Sequence, residues 1–410
     1  MGIYATNYLS CLEWFAGSIS LIERGDDLIK QKTWYANLGL IVGGTLFGLV
    51  IALIGFRVFI GDFRLILPYI YDDAVVFRSG NGDILFWQSE FIQPLENPEE
   101  ILSVHRLQGD ENGFRLPARP SDTYRVVALG DSYTEGANVA RPWSDEFAAA
   151  SGLATQNLGF RGYGMTHYTW AWEQYGIQED PDVVIIGFFG GNDVFTAGLG
   201  EEPPFDPPNL GSGDELDLEI VTDYTENDED LRIYPIYTEN GTPITFLSTY
   251  IGWMNAAPDQ LEGSVNYQVI ADNLRQIRDT ASDDTCLVFA YFPSKPEVYF
   301  PYLNQDDYPD LIAGQRTVLI NSDGTLHIVE DFTITLNRVM EWRLNTGIVM
   351  TELADSLGYE AINLHTTFDE RAANGEMLYY TYDTHWNQAG QTLAGETIAD
   401  FVEAQCTNLE

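Results

Sequence analysis

The chain has 410 residues, and its hydrophobic share of 45% supplies enough apolar material for a sizeable core, which excludes a wholly disordered protein. Its 62 acidic residues outnumber the 20 basic ones, so the formal net charge is −42 at pH 7. A field of that sign repels nucleic acid, and we therefore expect no nucleic-acid partner.

Three cysteines bear on the compartment and on metal binding: Cys11, Cys286 and Cys406. They form no CxxC pair and no Cys/His cluster, so we expect no zinc site, and nothing else in the sequence indicates a cofactor. If the main domain lies outside the cytoplasm, Cys286 and Cys406 can pair as a disulfide; otherwise they are two free thiols. The sequence leaves both possibilities open.

The N-terminal part of the chain contains a predicted membrane anchor. Residues 1–37 form a mixed tail, and residues 38–56 then carry no charge over about 19 positions, which is long enough as a helix to cross the hydrocarbon core. We assign residues 38–60 to this single transmembrane helix, with a buried core helix as the alternative. The run starts late and has no cleavage pattern, which favours a retained anchor over a signal peptide. The basic residues on its two sides favour, by a small margin, an extracytoplasmic main domain.

Glycines within the predicted anchor have the spacing that lets two membrane helices approach closely, Gly39 with Gly43 and Gly44 with Gly48. The sequence therefore allows a dimer through this helix. Residues 61–120 follow as a juxtamembrane segment, which is apolar and aromatic at first and then forms an ordered loop that leads into the first strand of the main domain.

From residue 121 to residue 405, short apolar runs alternate with stretches of helical spacing. Runs that are apolar on both faces and separated by helices are typical of a parallel sheet covered on both sides, so we predict an α/β fold, a three-layer α/β/α sandwich. The predicted strands are 125–129, 182–189, 286–292 and 360–364. The predicted helices are 143–151, 165–178, 267–280, 336–357 and 387–404.

An acidic insertion, at about residues 197–262, interrupts this alternation. Residues 200–230 contain about a dozen carboxylates and no basic residue, which indicates a surface loop between a strand and a helix. Calcium binding is an alternative for the closely spaced carboxylates, but they lack the glycine and the ligand order of an EF-hand loop, so solvated acidic residues are favoured. These carboxylates are Asp214, Asp217, Glu219 and Asp223.

A serine follows the first of the predicted strands. Gly130-Asp131-Ser132 places a hydroxyl at the carboxyl end of strand 125–129, where open α/β sheets bind their ligands. A serine at a strand-to-helix corner exposes its Oγ and keeps its own N–H free, so Ser132 could act as both nucleophile and oxyanion donor. The alternative is a serine that only caps the next helix.

A base and an acid occur together near the C-terminal end. The segment Asp383-Thr384-His385 precedes the last helix, and an extended Asp-x-His segment places the carboxylate and the imidazole on one side of the chain. Asp383 could then hold the Nδ1–H of His385 while Nε2 faces Ser132. A histidine with an ordinary structural partner is the alternative.

Two glycine-rich loops supply candidate oxyanion donors and substrate contacts. Gly162 lies in the loop 157–164, and Asn192 follows the second predicted strand. Asp131 and Asp193 are interpreted as structural residues that cap a helix or brace loops. Other side chains that flank the candidate site could form a platform on which a sugar stacks, or could simply pack at the rim of the site. They are Arg161, Tyr163, Phe189 and Trp386.

In this order, the four motifs resemble those of the SGNH (GDSL-type) hydrolase superfamily, over about 280 residues from Tyr124 onward. The resemblance implies a flavodoxin-like version of the α/β sandwich, and a catalytic triad that forms an acyl-serine without a metal or other cofactor. It gives Ser132 the role of nucleophile, His385 that of base and Asp383 that of orienting acid. The implied oxyanion donors are the N–H groups of Ser132 and Gly162 and the amide of Asn192. The matching positions are Gly130-Asp131-Ser132, Gly162 five residues after Asn157, Gly190 with Asn192 and Asp193, and Asp383 with His385.

One motif departs from the family pattern. The family usually spaces acid and base as Asp-x-x-His, whereas this chain has Asp-Thr-His-Trp-Asn, with Tyr382 before the aspartate. This form resembles the branch associated with polysaccharide O-acetylation, which includes alginate acetyltransferase-like proteins. The resemblance implies a membrane-anchored esterase that hydrolyses O-acyl, in particular O-acetyl, esters of carbohydrate. The alternatives are a polysaccharide O-acetyltransferase with the same acyl-serine, and a non-catalytic glycan-binding module on the same fold.

Overall fold

The chain forms two compact units, Met1–Leu67 and Pro68–Glu410. No helix in the described part of the chain is long and apolar enough to span a membrane. Most of the predicted anchor at 38–60, with Gly39, lies outside the described residues, so the anchor stays a prediction. The computed structural model describes residues 43–45, 48, 75–78, 83–89, 102–110, 112–136, 139–197, 231–232, 244, 246–303, 316–331, 333–380 and 384–406.

The second unit begins with a three-stranded antiparallel sheet that we did not predict. Its strands β1 (Val75–Arg78), β2 (Asp83–Ser89) and β3 (Leu102–Gln108) pair in this order. Residues 61–120, expected to be a juxtamembrane segment without strands, thus contain three. A signal for the first hairpin was present, since Asn81-Gly82 lies between β1 and β2 and such a pair favours a tight turn.

The central sheet confirms the predicted parallel arrangement. Five strands pair in the order β12-β9-β6-β4-β5, each parallel to its neighbours; they are β4 (Val126–Gly130), β5 (Thr155–Gly159), β6 (Val183–Phe189), β9 (Cys286–Phe292) and β12 (Glu360–Asn363). We did not predict β5, because its polar residues break the apolar run that marks a buried strand. Two short antiparallel pairs lie outside this sheet, β7 (Leu231–Arg232) with β8 (Phe246–Leu247), and β10 (Arg316–Ile320) with β11 (Leu326–Glu330).

Helices connect the strands of the sheet. The predicted helices at 143–151, 267–280 and 387–404 agree within two residues with the helices α2 (Trp143–Ser151), α7 (Val265–Thr280) and α12 (Gln388–Gln405). The described α-helices are α1 (Ser132–Glu135), α2 (Trp143–Ser151), α3 (Met165–Ala171), α4 (Asp193–Thr196), α5 (Ser248–Trp253), α6 (Pro258–Glu262), α7 (Val265–Thr280), α8 (Lys295–Tyr299), α9 (Leu336–Trp342), α10 (Asn345–Ser356), α11 (His365–Ala373) and α12 (Gln388–Gln405).

The other two predicted helices are wrong in their extent. The predicted helix 165–178 is α3 followed by a wider π-helical turn and a 3-10 turn. Trp172 begins the wider turn, is fully buried, and donates a 2.9 Å hydrogen bond from its indole to the Thr280 hydroxyl. The predicted helix 336–357 is divided into α9 and α10 by a short turn. In the first case a tertiary contact accompanies the departure from a continuous helical pattern.

Alternate side chains of the central sheet enter two separate cores. In β4, Val126 and Ala128 face one core, and Val127 and Leu129 face the other, as the period of two in a strand requires. Helices α2, α11 and α12 contribute to the first core, and α3, α7 and α10 to the second. The helices therefore cover both faces of the sheet, which is the predicted three-layer arrangement.

The last part of the predicted acidic insertion contributes to the two cores of the domain. Ile244, Phe246, Ile251 and Leu261 are almost completely buried, and the last two belong to α5 and α6. The prediction included these apolar residues in the insertion because the stretch before them is strongly acidic. The carboxylates considered for calcium binding lie outside the described residues.

A disulfide joins Cys286 at the start of β9 to Cys406 just after α12, with their Cα atoms 5.8 Å apart. Of the two possibilities that the sequence left open, the structure has the bonded pair. The two cysteines are 120 residues apart in the sequence. Closing so long a loop removes much conformational entropy from the unfolded chain, and the bridge therefore stabilises the fold.

We expect the double substitution Cys286→Ala/Cys406→Ala to lower the free energy of unfolding by about 3–5 kcal/mol. Urea unfolding of the full chain, followed by circular dichroism, measures the change. Cys11→Ala is the control, because it removes a cysteine that takes no part in the bridge. An unfolding midpoint of the double variant equal to that of the Cys11→Ala variant would contradict a stabilising role for the bridge.

Candidate active site

The site is built on a row of glycines across the central sheet. Gly159, Gly130 and Gly187 lie side by side on β5, β4 and β6. A Cβ at Gly130 would overlap the hydroxyl of Thr134 in α1, and one at Gly187 would lie 2.7 Å from it. Larger side chains in this row would push α1 away from the sheet. The glycines thus fix Ser132, the first residue of α1, at the carboxyl end of β4.

Ser132 and His385, the predicted nucleophile and base, meet at this edge of the sheet. Ser132 Oγ and His385 Nε2 are 2.8 Å apart, although 253 residues separate them in the sequence. This is the contact through which an imidazole accepts the proton of a serine hydroxyl. The predicted acid, Asp383, lies outside the described residues, so its contact with His385 stays a prediction.

Neighbouring contacts hold His385 in place. Its carbonyl accepts a hydrogen bond of 3.0 Å from the Tyr380 N–H. The carbonyl of Thr384 accepts one of 2.5 Å from the Tyr133 hydroxyl. The Tyr133 ring also lies against the imidazole, with 5.0 Å between the ring centres. Tyr133, the residue after Ser132, therefore helps to position His385, a role that no sequence pattern indicated.

The last helix, α12, packs against α2 and contacts α1, the helix that begins with Ser132. Gln391 of α12 is completely buried. Its Oε1 accepts a 2.7 Å hydrogen bond from the Trp143 N–H, and its amide donates one of 3.3 Å to the Tyr133 carbonyl. One buried glutamine thus links α12, the helix that follows His385, to α2 and to Tyr133 beside Ser132.

Gly162 lies in a tight turn after β5. The Tyr163 N–H donates a 3.1 Å hydrogen bond to the Phe160 carbonyl, and Gly162, at the third position of this turn, has a φ of +76°. A left-handed conformation at that position favours glycine. The Ser132 N–H, as the first of its helix, has no partner within that helix. These two N–H groups are the backbone candidates for an oxyanion hole.

Arg161 was one of the candidate substrate contacts, and the structure pairs it with Glu135 of α1. Its Nε and Nη2 donate to the two carboxylate oxygens at 3.0 and 2.8 Å, and its backbone N–H donates to the same carboxylate at 3.1 Å. The Glu135 side chain is buried, and a two-pronged bond of this kind is among the strongest between side chains. Arg161 therefore braces the Gly162 turn against the nucleophile's helix. We missed Glu135, because a single glutamate in a short helix forms no distinguishing pattern.

The third loop of the site turns sharply after β6. The Gly190 N–H donates a 2.9 Å hydrogen bond to the Phe292 carbonyl, and a Cβ at Gly190 would overlap the Tyr291 hydroxyl. Only glycine fits at that position. Asn192 follows, partly buried, directly before α4. Its side-chain amide is the third candidate oxyanion donor.

The three aromatic side chains that were candidates for a sugar platform are buried. Phe189 and Trp386 are only 1% and 0% exposed, and Phe189 stacks on the Tyr133 ring with 3.9 Å between the ring centres. Tyr163 is also buried and stacks on His167. Of the two alternatives, packing therefore holds for these three side chains, because their rings fill the core beside the site instead of facing solvent.

Two fully buried carboxyl groups belong to the loops of the site. Asp131 caps α1 by accepting a 2.9 Å hydrogen bond from the Tyr133 N–H, and Asp193 accepts bonds of 2.8 Å from the Tyr168 hydroxyl and the Phe189 N–H. Burial raises the pKa of Asp131 to about 7, against the opposing effect of the Tyr133 hydrogen bond. Burial, followed by the charge of Asp131, raises the pKa of Asp193 well above its usual range. Both side chains brace the loops, and burial shifts the titration of both towards higher pH than that of a carboxyl group in water.

Asp131 should make the protein less stable as the pH rises from about 4 to about 7. Its pKa is raised from 3.8 to about 7 in the fold, so the folded state binds more protons than the unfolded chain in this range. The resulting stabilisation is complete below the unfolded pKa and is lost as the pH rises through the folded pKa. We expect Asp131→Asn to lose less unfolding free energy across this range, measured by urea unfolding at several pH values. Exposed Asp283→Asn is the control, and a pH profile of Asp131→Asn that follows this control would contradict the prediction.

No protein-family model matches the sequence, and no curated protein matches it. Among solved structures, a lipase/acylhydrolase from Enterococcus faecalis matches with 15% identity over 70% of this chain and 100% of that one, at a TM-score of 0.34. A catalytic mutant of an acetylxylan esterase from Geobacillus stearothermophilus matches with 12% identity over 69% and 94%, at a TM-score of 0.34. Phospholipase A1 from Streptomyces albidoflavus matches with 12% identity over 68% and 98%, at a TM-score of 0.37. Similarity at this level assigns neither a family nor an activity, so the function is inferred from the contacts of the site.

Proposed function

We propose that this chain is a serine esterase, which hydrolyses carboxylic esters through an acyl-serine. The observation that carries the proposal is the 2.8 Å contact between Ser132 Oγ and His385 Nε2 at the carboxyl end of β4. Gly162 and Asn192 lie in the loops that follow the neighbouring strands β5 and β6, so their donors are on the same edge of the sheet as the nucleophile. Asp383 completes the proposed triad as the acid that orients His385.

In the proposed reaction, Ser132 Oγ attacks the carbonyl carbon of the ester while His385 Nε2 takes the hydroxyl proton. The tetrahedral oxyanion accepts hydrogen bonds from the N–H groups of Ser132 and Gly162 and from the amide of Asn192. Losing one such donor typically costs about 2.7–4 kcal/mol of transition-state stabilisation. His385 then gives the proton to the departing alkoxide, and the acyl group stays on Ser132. Water, deprotonated by the same imidazole, attacks the acyl-serine, and the imidazolium returns this proton to Ser132 Oγ as the acid leaves.

The proposed substrate class is O-acyl, in particular O-acetyl, esters of carbohydrate. The resemblance of residues 383–387, Asp-Thr-His-Trp-Asn, to the polysaccharide O-acetylation branch supports this choice. The same resemblance favours a second candidate function, a polysaccharide O-acetyltransferase. In that reaction a sugar hydroxyl replaces water as the acceptor of the acyl group, and all steps up to the acyl-serine are shared.

The proposed location is the membrane, with residues 38–60 as a single-pass anchor and the catalytic domain outside the cytoplasm. The uncharged run in this segment supports the anchor. The bridge between Cys286 and Cys406 supports an extracytoplasmic domain, because disulfides persist mainly in oxidising compartments. A dimer through the glycines of the anchor, Gly39, Gly43 and Gly48, belongs to the same proposal.

The test of this function is acetate release by the full chain in detergent micelles. The substrates are an acetylated xylo-oligosaccharide, with and without an unacetylated acceptor, and a simple aryl acetate that serves as a minimal ester. Release of acetate into water identifies the esterase, whereas acetyl transfer to the acceptor with little free acetate identifies the transferase.

His385→Gln is the matched control for this test, because glutamine is polar and of similar reach but cannot take the serine proton. It should show neither hydrolysis nor transfer. Turnover of no ester, or turnover that persists in His385→Gln, would overturn the proposed function. Turnover of the aryl acetate with rejection of the oligosaccharide would keep the esterase and overturn the carbohydrate substrate class.

A further inference from the structure

The segment that follows β9 contacts both halves of the candidate site. Residues 293–297 include Lys295, the only lysine in the described part of the chain, and Glu297. Their exposed fractions are only 1% and 3%. Charged side chains are rarely buried so completely unless they are paired. Neither residue takes part in the proposed reaction, so their burial needs another explanation.

Lys295 holds the chain next to the base. Its Nζ donates a 2.7 Å hydrogen bond to the carbonyl of Tyr380, whose own N–H bonds the carbonyl of His385. Beside it, the Tyr379 hydroxyl donates a 2.6 Å hydrogen bond to the carbonyl of Pro293. Two buried side-chain bonds therefore tie the backbone beside His385 to the segment after β9.

Glu297 holds the other half of the site. Its carboxylate accepts hydrogen bonds of 2.7 Å from the Tyr291 hydroxyl and 2.5 Å from the Ser294 N–H. That tyrosine hydroxyl lies directly against Gly190, where it leaves no room for a Cβ. It thereby supports the turn that presents Asn192. One five-residue segment thus supports the base on one side and a candidate oxyanion donor on the other.

We propose that Lys295 is a positioning residue for catalysis, which sets the distance between His385 and Ser132 by anchoring the carbonyl of Tyr380. This inference rests on the proposed function, since it requires that Ser132 and His385 react. A cationic donor bonds a carbonyl more strongly than a neutral donor does, and burial excludes the water that would compete for it. A misplacement of about 1 Å in a catalytic group can cost about 100-fold in rate, so this anchor acts on turnover more than on substrate binding.

Three variants of the full chain test the role of Lys295. Lys295→Met keeps the unbranched stem and removes the charged donor, and Tyr379→Phe removes the second tie, the hydroxyl that bonds Pro293. Tyr359→Phe is the matched control, because it also deletes one buried tyrosine hydroxyl that bonds a backbone carbonyl, that of Leu274 at 2.7 Å. Tyr359 directly precedes β12 and therefore lies at the amino end of the sheet, opposite the site.

For each variant, kcat and KM for an aryl acetate are measured well below the melting temperature, together with the rate at which a fluorophosphonate labels Ser132. We expect Lys295→Met to lower kcat and the labelling rate by about 10- to 100-fold, with KM changed by less than about twofold. Tyr379→Phe should lower both rates by a smaller factor. Tyr359→Phe should lose thermal stability as Tyr379→Phe does and keep its kcat.

The failure of this inference is distinguishable from the failure of the proposed function. An unaltered chain in which Ser132 is not labelled would overturn the proposed function. Labelling of the unaltered chain, with rates for Lys295→Met and Tyr379→Phe no lower than that of Tyr359→Phe, would overturn the positioning role alone. If Lys295→Met does not fold, the comparison of Tyr379→Phe with Tyr359→Phe decides the question by the same criterion.

Discussion

Ser132→Ala is expected to lower kcat/KM by about 10⁴-fold or more while the chain stays folded. The substitution removes the atom that forms the acyl bond and keeps the backbone N–H that serves the oxyanion. The Ser132 side chain is partly exposed and its hydroxyl contacts His385, so the free energy of unfolding should change by less than about 1 kcal/mol. Kinetics with an aryl acetate and urea unfolding measure the two quantities.

We expect His385→Gln to lower kcat/KM by a similar factor, because a nucleophile and its base act in the same catalytic step. The double variant Ser132→Ala/His385→Gln should be no slower than either single variant. Rate losses that multiply in the double variant would contradict a shared catalytic step. An unchanged kcat/KM in Ser132→Ala would assign the nucleophile to another residue.

Asp383→Asn is expected to lower kcat by about 10⁴-fold, with little change in KM. A carboxylate at this position would accept the Nδ1–H of His385 and stabilise the imidazolium that forms when Ser132 loses its proton. An amide keeps the size of the side chain but offers no negative charge and does not select the correct tautomer. Steady-state kinetics of the full chain measure the loss.

Asp131→Asn is the control for this second prediction. Asp131 is a carboxyl directly beside the nucleophile, but its side chain caps α1 through the Tyr133 N–H, a bond that an asparagine oxygen can also accept. This variant should therefore keep most of its activity. A loss below about tenfold for Asp383→Asn, with a larger loss for Asp131→Asn, would transfer the role of acid to Asp131.

The central sheet was predictable from the sequence because four of its five strands contain a short apolar run. β5 is the outermost strand of the sheet, and it contains polar side chains that form hydrogen bonds with other parts of the fold. The side chain of Asn157, for example, donates hydrogen bonds of 2.6 Å to the Thr134 carbonyl and 2.9 Å to the Ser144 hydroxyl. Contacts of this kind leave no periodicity in the sequence, so the strand was read as part of a loop.

The residues proposed to react were recognisable, and the residues that hold them were not. Ser132 and His385 occur in short motifs next to predicted elements, where a reactive side chain is expected. Glu135, Lys295 and Gln391 act through hydrogen bonds to segments far away in the sequence, and no local pattern marks them. For the aromatic residues near the motifs, substrate stacking and packing both stayed open, because a sequence does not distinguish a ring that faces solvent from one that fills a core.

The chain segments of the site also impose an order on its assembly. Ser132 and His385 are 253 residues apart, and a loop of that length is costly to close, so we expect their contact to form after the local helices and turns. His385 lies just before α12, so it reaches Ser132 only when this helix has docked through Gln391 on Trp143 and Tyr133. Before that step the Ser132 hydroxyl has no base beside it. The proposed esterase activity therefore requires that α12 has docked, and we expect a partly folded molecule with a finished sheet to be inactive.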